Sequence, residues 1–210
     1  MDINDLAKMA GDACYGLLAI NFFWGLYHVI MGFRQVKRFS FKTRQQQTEF
    51  LGTLLEKIDM GKYDDAAQMC EDDDRALPQL AYVAIQNRGL GFEPMRQSVA
   101  EVLQRDVIGE LEYRTSWIAT VIKSGPLLGL FGTVLGMMAA FGRIGTGEKT
   151  TPATIAAEIS IALICTAMGL ATAIPFNFFL ASINVRIRKL QDSLGAGMVR
   201  LLDTFKRQGV

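Results

Sequence analysis

"GPLLGLFGTVLGMM" (residues 125–138) and "ISIALICTAMGLATAIP" (residues 159–175) are free of formal charge. Both stretches mix large apolar residues with glycine, alanine and threonine at steps of three and four. An apolar run of roughly 20 residues can cross the hydrocarbon core of a bilayer as one helix. Glycine and proline are tolerated there because no water competes for the backbone groups. The two stretches therefore predict a pair of membrane-spanning helices joined by a short hairpin.

The distribution of charge extends this prediction to the whole chain. Of 210 residues, 50% are hydrophobic and 20% are charged, and the net charge is only +1. The charged residues are absent from long windows and crowded between them, which is typical of a multi-pass membrane protein. The segment before the first window is acidic rather than basic, so we expect this window to be retained rather than cleaved as a signal peptide. The predicted spans are residues 13–33, 124–143 and 156–185.

Basic residues beside the spans predict the orientation. They are concentrated after the first and third spans, at Arg34, Lys37, Arg38, Lys42, Arg44, Arg186, Arg188 and Lys189. Because basic residues are enriched on the cytoplasmic side, this pattern predicts a multi-pass membrane protein whose N-terminus lies outside. The remaining segments are then an outer N-terminal segment (1–12), a cytoplasmic domain (34–123), an outer loop (144–155) and a cytoplasmic C-terminal helix (186–210).

The segment between the first two spans is predicted to be helical. Its apolar residues Phe50, Leu54 and Ile58 recur at helical spacing, and we find no strand alternation or hairpin dipeptide. A helix beginning near Pro94 has no stop signal before the second span. We expect this helix (94–123) to form a stalk that continues into the span. The fold class is therefore all-α, and the acidic run 71–74 is interpreted as a solvated helix end.

Spans two and three each have a face of small residues. Residues four apart share a helix face, and small side chains allow close helix packing in lipid. These faces either pack against each other or a partner helix, or line a narrow tunnel within a ring of several copies. The small residues assigned to packing are Gly125, Gly129, Gly132, Gly136, Ala162, Gly169 and Ala173.

One threonine lies on each of these faces, Thr133 in the second span and Thr166 in the third. A hydroxyl both donates and accepts, so each can support a water or proton pathway. The alternative is a hydrogen bond to a carbonyl of its own helix, which is common. Glu158 lies on the same face further outward. Pro126 and Pro175 are predicted points of bending, because proline removes a backbone hydrogen bond.

Other classes of protein lack support in the sequence. The three cysteines have unrelated spacings and form no CxxC or Cys/His cluster, which argues against a disulfide framework or a metal site. No nucleophile, base or metal constellation is recognisable, so we expect no enzyme activity and no cofactor. Neither the net charge nor any motif indicates nucleic-acid binding.

"GPLLGLFGTVLGMMAAF" followed by "ISIALICTAMGLATAIP" resembles the membrane signature of the MotA/TolQ/ExbB proton-channel family. The usual ExbB/TolQ pattern is approximately A-P-L-L-G-L-L-G-T-V-x-G, then E-A-L-x-T-T-A-x-G-L-x-x-A-I-P. Thr133, Thr166, Gly169 and Pro175 match it. With three spans, the chain is closer to ExbB and TolQ, or to their gliding-motor relatives, than to four-span MotA. ExbB and TolQ usually have a glutamate where this chain has Ile161, which favours a divergent member.

The resemblance implies a location, a function and partners. It implies a multi-pass protein of the bacterial inner membrane, whose outer N-terminal segment and outer loop are then periplasmic. It implies a homopentamer around a dimer of a single-span ExbD-, TolR- or MotB-like protein, with Thr133 and Thr166 beside the partner's membrane aspartate. Ion flow would power envelope transport, constriction or gliding, with protons favoured over sodium as the coupling ion. Glu158 is a candidate substitute for the family glutamate. The alternative is a non-conducting scaffold that packs partner helices. In either case the chain contacts membrane lipids and no nucleic acid.

Overall fold

The computed structural model describes the backbone of residues 3–145 and 151–209, and the side chains of residues 13–145 and 151–209. Within these ranges the protein is helical and contains no strand, as the all-α prediction requires. A short 3-10 helix (Arg88–Leu90) precedes α5, and a π-helical segment (Leu103–Ile108) joins α5 to α6. The helices are α1 (Ile3–Phe39), α2 (Arg44–Asp59), α3 (Tyr63–Glu71), α4 (Ala76–Asn87), α5 (Phe92–Val102), α6 (Gly109–Gly145) and α7 (Pro152–Arg207).

Among the described residues, three helical stretches are long and apolar enough to cross a membrane: Ala13–Phe39, Phe92–Gly145 and Pro152–Arg207. At 56 residues, α7 is about 84 Å long, whereas the hydrocarbon core is only about 30 Å thick. No break in the backbone marks the predicted ends of the spans at residues 33, 124 and 185. These boundaries therefore rest on the sequence, and part of the predicted loop 144–155 (residues 146–150) lies outside the described residues.

The first of two compact units, here called the membrane unit, comprises the described residues up to Ile30 and Thr115–Ala181. It contains most of the apolar part of α1, the C-terminal part of α6 and the N-terminal part of α7. Its buried side chains include Leu18, Val121 and Phe176. Many large apolar side chains on its outside are exposed in the isolated chain, which is the pattern expected of helices that face lipid or other subunits.

The second unit, here called the charge-rich unit, comprises Met31–Arg114 and the described residues from Ser182 onward. Its core is formed by α2, α4 and the end of α7, and the side chains that face one another there are buried. Gly61, with φ of +72°, makes the turn from α2 to α3, and Gln208 Nε2 donates to the carbonyl of Ile58 at 2.7 Å. The side chains with no measurable exposure include Leu54, Ile58, Leu77, Leu80, Leu201 and Phe205.

The acidic run is partly neutralised by arginines of the same unit. Asp73 accepts a hydrogen bond from the backbone N–H of Arg75 at 3.0 Å and pairs with its guanidinium, while Asp74 pairs with Arg38 at 2.7 Å. Burial raises the pKa of Asp73, but the hydrogen bonds and charge of Arg75 lower it by more, so the net pKa lies below its ordinary value. Asp73 thus anchors the start of α4.

Candidate functional site

The small-residue faces of α6 and α7 meet within one chain. A Cβ on Gly129 would lie 2.8 Å from the carbonyl oxygen of Cys165, and a Cβ on Gly169 would lie 2.5 Å from that of Gly125. Because these neighbours are backbone atoms, only glycine permits the observed separation. The other predicted packing residues are also in this part of the unit: Gly132 faces Cys165 and Cys14, Gly136 faces Ala162, and Ala173 is buried.

This close approach brings Thr133 and Thr166 into direct hydrogen-bond contact between their hydroxyl oxygens. Thr133 Oγ1 also lies 3.1 Å from the carbonyl oxygens of both Gly129 and Ala162. Thr166 Oγ1 lies 3.0 Å from the carbonyl oxygen of Gly129. The two residues that were predicted separately from two spans therefore form one polar site inside an apolar helix pair.

The hydrogen bonds of the two hydroxyls can run in two directions, because each hydroxyl has only one hydrogen to donate. In one, Thr133 donates to Thr166, which donates to the carbonyl of Gly129. In the other, Thr166 donates to Thr133, which donates to the carbonyl of Ala162 or Gly129. Thr133 is 8% exposed and Thr166 is half-buried. The Thr166 side is thus the more accessible end of a short, reversible hydrogen-bond chain.

Glu158 does not join this pair. It lies eight residues before Thr166, or about 12 Å along α7, and its Oε1 is 2.5 Å from Nη1 of Arg143 near the end of α6. Both side chains of this ion pair are only partly exposed. The pair therefore links the ends of α6 and α7 that adjoin the hairpin.

Ile161, at the position of the family glutamate, faces outward from the helix pair. Its side chain is 54% exposed, and its backbone carbonyl accepts a hydrogen bond from the Tyr15 hydroxyl at 3.0 Å. An apolar side chain at this exposed position suits contact with lipid or with another helix. Because isoleucine replaces the family glutamate, α7 has no carboxylate at position 161.

The two predicted bending points lie inside continuous helices. Pro126 is within α6, beside the contact of Gly125 with Gly169, and Pro175 is within α7. Neither proline ends its helix. Bending at either position stays a prediction from the missing backbone hydrogen bond.

Sequence reasoning missed two residues of α1 that hold it against α6. Asn21 Nδ2 donates to the carbonyl of Val121 at 3.3 Å, and Asn21 Oδ1 accepts from Ser124 Oγ at 2.8 Å. A Cβ on Gly25 would lie 2.7 Å from Cγ1 of Val121. An amide within an otherwise apolar span was the available signal for Asn21, because buried amides in lipid need partners. A lone glycine such as Gly25 offers no comparable signal.

The remaining polar groups of the membrane unit suggest packing rather than chemistry. His28 is buried, and its ring stacks on that of Trp117 with centroids 5.8 Å apart.

In the charge-rich unit, burial and the charge of Asp73 raise the pKa of the Cys70 thiol to about 12, so this thiol is protonated and unreactive at neutral pH. In the part of the chain that the structure describes, no three His, Cys, Asp or Glu side chains cluster as metal ligands do.

Three membrane-length helices with a polar pair buried between two of them define a multi-pass helical membrane protein. The family model described as the MotA/TolQ/ExbB proton channel family matches residues 73–195. This match covers more than half of the chain, so the chain belongs to that family. The matched region includes α6, the small-residue faces and both threonines.

Curated relatives carry names from the same family. The Tol-Pal system protein TolQ of Haemophilus influenzae is 38% identical over 88 residues, covering 42% of this chain and 39% of the relative. The biopolymer transport protein ExbB of Neisseria gonorrhoeae is 32% identical over 133 residues, covering 61% and 54%. A putative ExbB homolog of Methanothermobacter thermautotrophicus is 26% identical over 175 residues, covering 82% and 59%. The chain thus spans 39% to 59% of the length of these relatives.

Proposed function

We propose that this protein is the proton-conducting subunit of an inner-membrane motor driven by the proton-motive force. The observation that carries the proposal is the hydrogen-bonded pair of Thr133 and Thr166, because a reversible hydroxyl chain in an apolar helix pair can pass a proton. Each charge that crosses the membrane releases about 2.3 kcal/mol per 100 mV. Membership of a proton-channel family supports the same function.

We further propose a homopentamer that surrounds a dimer of a single-span partner with a membrane aspartate. The greater exposure of Thr166 supports this arrangement, since a carboxylate from outside the chain can reach that end of the pair. A mass measurement of the purified complex tests the number of subunits. A neighbouring gene for a one-span protein with a membrane aspartate would support the partner.

The orientation and the coupling ion are part of the same proposal. The basic residues after the first and third spans support a periplasmic N-terminus and a cytoplasmic charge-rich unit. A site with few oxygen ligands besides two hydroxyls favours protons over sodium. Replacing sodium by potassium at constant pH should leave motor function intact, and a requirement for sodium would contradict the choice of proton.

Substitution of either hydroxyl tests the mechanism. We expect Thr133→Val and Thr166→Val to fail to rescue a strain that lacks the gene, because valine keeps the shape and removes the hydrogen-bond chain. Both variants should still assemble, as measured by the mass of the purified complex. Serine at either position keeps the hydroxyl and should restore much of the rescue.

Thr172→Val is the matched control. Thr172 is a buried threonine of α7, and among the described residues its hydroxyl donates to the carbonyl of Met168 in its own helix at 3.0 Å. We expect this variant to rescue fully. Full rescue by Thr133→Val and Thr166→Val as well would contradict the proposed proton pathway.

One observation favours a second function, that of a non-conducting scaffold. The glycine faces are occupied by contacts within the chain, and the threonine hydroxyls reach backbone carbonyls, as in ordinary helix packing. A scaffold predicts that rescue tolerates the loss of both hydroxyls. It also predicts that a proton uncoupler leaves the phenotype unchanged.

A further inference from the structure

The charge-rich unit contains a cleft of about 670 Å³ between the end of α1, the start of α2 and the middle of α7. This volume falls within the roughly 300–1,000 Å³ of small-ligand sites. The described residues that line the cleft include no aspartate or glutamate. Five exposed basic side chains line it instead, namely Lys37, Lys42, Arg44, Arg186 and Lys189.

Among the residues that the structure describes, these five cations form no ion pair with an acidic side chain. The described ion pairs use other arginines, such as Arg38 with Asp74 and Arg75 with Asp73, and none involves a basic residue of the cleft. Like charges gathered without a counter-charge repel one another. An anion that enters the cleft would therefore relieve this repulsion and gain several charge-assisted contacts.

The start of α2 adds backbone donors to the same cleft. Thr43, the N-cap residue, and Arg44, the first helical residue, both line the cleft. The first N–H groups of a helix have no partner within the helix, and at Thr43 the structure shows no side-chain hydrogen bond that caps them. The N-terminal end of a 16-residue helix therefore presents partial positive charge beside the five cations.

The position of the cleft along the chain indicates where its ligand comes from. Lys37 lies four residues, or about 6 Å, beyond the last apolar residue of the first window, Phe33. Arg186 follows directly after Val185, the end of the third window. With the span boundaries predicted from the sequence, both segments leave the hydrocarbon here, which puts the cleft at the level of the lipid headgroups.

An apolar wall accompanies the charges. Val36, Phe39, Leu190 and Leu194 line the same cleft, and each is at least nine-tenths buried. On the α7 side, Ser193 is fixed by a hydrogen bond from Gln47 Nε2 to its carbonyl oxygen at 3.1 Å. The cleft thus pairs a strongly positive rim with an apolar wall held in place by contacts between α2 and α7.

We propose that this cleft binds the phosphate group of an anionic phospholipid from the adjoining leaflet. A basic pocket between membrane helices on the cytoplasmic side is the usual setting for recognition of acidic headgroups. The lipid is a better ligand than free phosphate because its acyl chains can stay in the adjoining hydrocarbon while its phosphate enters the basic cleft. The bound lipid ties α1, α2 and α7 together where the chain leaves the membrane.

Lipid retention by the purified full-length protein tests this site. The wild-type protein in mild detergent is titrated with phosphatidylglycerol, with phosphatidylcholine and with inorganic phosphate, and bound lipid is counted by native mass spectrometry. We expect phosphatidylglycerol to be retained in preference to phosphatidylcholine, and inorganic phosphate to compete only weakly. The triple variant Lys37→Gln, Lys42→Gln, Lys189→Gln should retain phosphatidylglycerol about a hundredfold less tightly.

Two further variants make the result specific to the cleft. Arg200→Gln, Lys206→Gln, Arg207→Gln removes the same charge from the last turns of α7, outside the cleft, and should retain lipid as the wild type does. Replacing the three cleft lysines by arginine keeps the charge and should keep binding. Circular dichroism and the mass of the complex show whether each variant is folded and assembled.

Three outcomes would overturn the proposal. Equal retention of the two lipids would mean that the cleft does not select an anionic headgroup. Equal losses in both glutamine triples would mean that only net charge matters. Binding of inorganic phosphate without lipid retention would assign the cleft to a free anion instead.

Discussion

Glycine at positions 129 and 169 sets the distance between the two threonine hydroxyls. Each glycine faces backbone atoms of the opposite helix, and backbone cannot move aside as a flexible side chain can. In lipid no hydrophobic effect drives helices together, so close backbone packing supplies much of the association. The separation of α6 and α7, and with it the contact of Thr133 with Thr166, follows from these two residues.

Gly129→Ala and Gly169→Ala should therefore destabilise the helix pair. The added Cβ atoms would meet backbone atoms at 2.8 Å and 2.5 Å, and forcing such contacts apart costs about 1–3 kcal/mol. Gly16→Ala is the control, because a Cβ there meets no atom within 4 Å. Thermal unfolding in detergent measures the difference. If all three variants unfold at the same temperature, α6 and α7 are not in close contact.

The ion pair of Arg143 with Glu158 predicts an interaction that depends on both partners. We expect Arg143→Gln and Glu158→Gln to lower stability to a similar extent, by up to about 1 kcal/mol because both side chains are partly exposed. The exchange Arg143→Glu with Glu158→Arg should recover part of the loss. Rescue of the deletion strain is measured in parallel. If Glu158→Gln alone abolishes rescue and Arg143→Gln does not, Glu158 has a role in the ion pathway instead.

The start of α4, in the charge-rich unit, is held by contacts between Asp73 and Arg75. Its N-cap residue, Arg75, makes no side-chain cap hydrogen bond. Instead Asp73 accepts from the backbone of Arg75 and pairs with its guanidinium, which in turn lies 3.9 Å from the ring centroid of Phe41. A negative charge near a helix N-terminus is also favourable for the helix dipole.

The lowered pKa of Asp73 predicts a dependence of stability on pH. A carboxyl whose pKa is lower in the folded state stabilises the fold above its unfolded pKa, and this contribution is lost as the pH falls through the folded pKa. Asp73→Asn should thus lower the free energy of unfolding by about 1–2 kcal/mol at pH 7. The deficit relative to the wild type should shrink below about pH 4.

Urea unfolding followed by circular dichroism at pH 7 and at pH 3 measures this effect. Asp72→Asn is the control, since Asp72 is exposed and makes no ion pair among the described residues. A deficit for Asp73→Asn that is the same at both pH values would exclude the proposed role of the ionised carboxylate.

The helical stretch Phe92–Gly145 contains a segment that the sequence analysis did not predict. The absence of a stop signal after Pro94 predicts one helix into the second span, and the structure has continuous helix over Phe92–Gly145. Within it, Leu103–Ile108 is π-helical. A π segment contains an extra residue per turn and rotates the face of the helix beyond it. Apolar spacing alone does not reveal such a segment, because a residue shifted by one position still fits a broad apolar face.

At the scale of the whole molecule, the end of α7 contacts residues of the charge-rich unit that lie 145 and 150 positions earlier in the sequence. Phe205 has no measurable exposure, and its ring stacks on that of Tyr63 with centroids 6.5 Å apart. The Tyr63 hydroxyl donates to Gln208 at 2.7 Å. The core of the charge-rich unit therefore combines α3 with the end of α7.

Phe205→Ala should unfold or loosen the charge-rich unit. Removal of a fully buried phenylalanine costs about 3–5 kcal/mol, whereas Val199→Ala on the same helix should have little effect because Val199 is 61% exposed. Limited proteolysis of the purified protein measures the difference as faster cleavage within Met31–Arg114. Equal resistance of both variants would show that the end of α7 is not part of this core.

Several parts of the structure were predictable because they follow from local composition. An uncharged run of about 20 residues must satisfy its backbone internally as a helix, whatever its neighbours are. Steps of four place Gly125, Gly129 and Thr133 on one face without reference to the fold. The roles of Asn21 and Gly25 were not predictable, because each depends on which helix lies opposite.

Helix class, the number of apolar spans and the small-residue faces are thus properties of the sequence alone, since helical periodicity and hydropathy act within a single segment. The tertiary structure was needed to show that the two small faces meet each other, that Thr133 and Thr166 share a hydrogen bond, and that Glu158 pairs with Arg143. These contacts join residues far apart in sequence, and several arrangements of the same helices would satisfy the same local patterns. The close packing of α6 and α7, which leaves no room for a Cβ at Gly129 or Gly169, selects one of these arrangements.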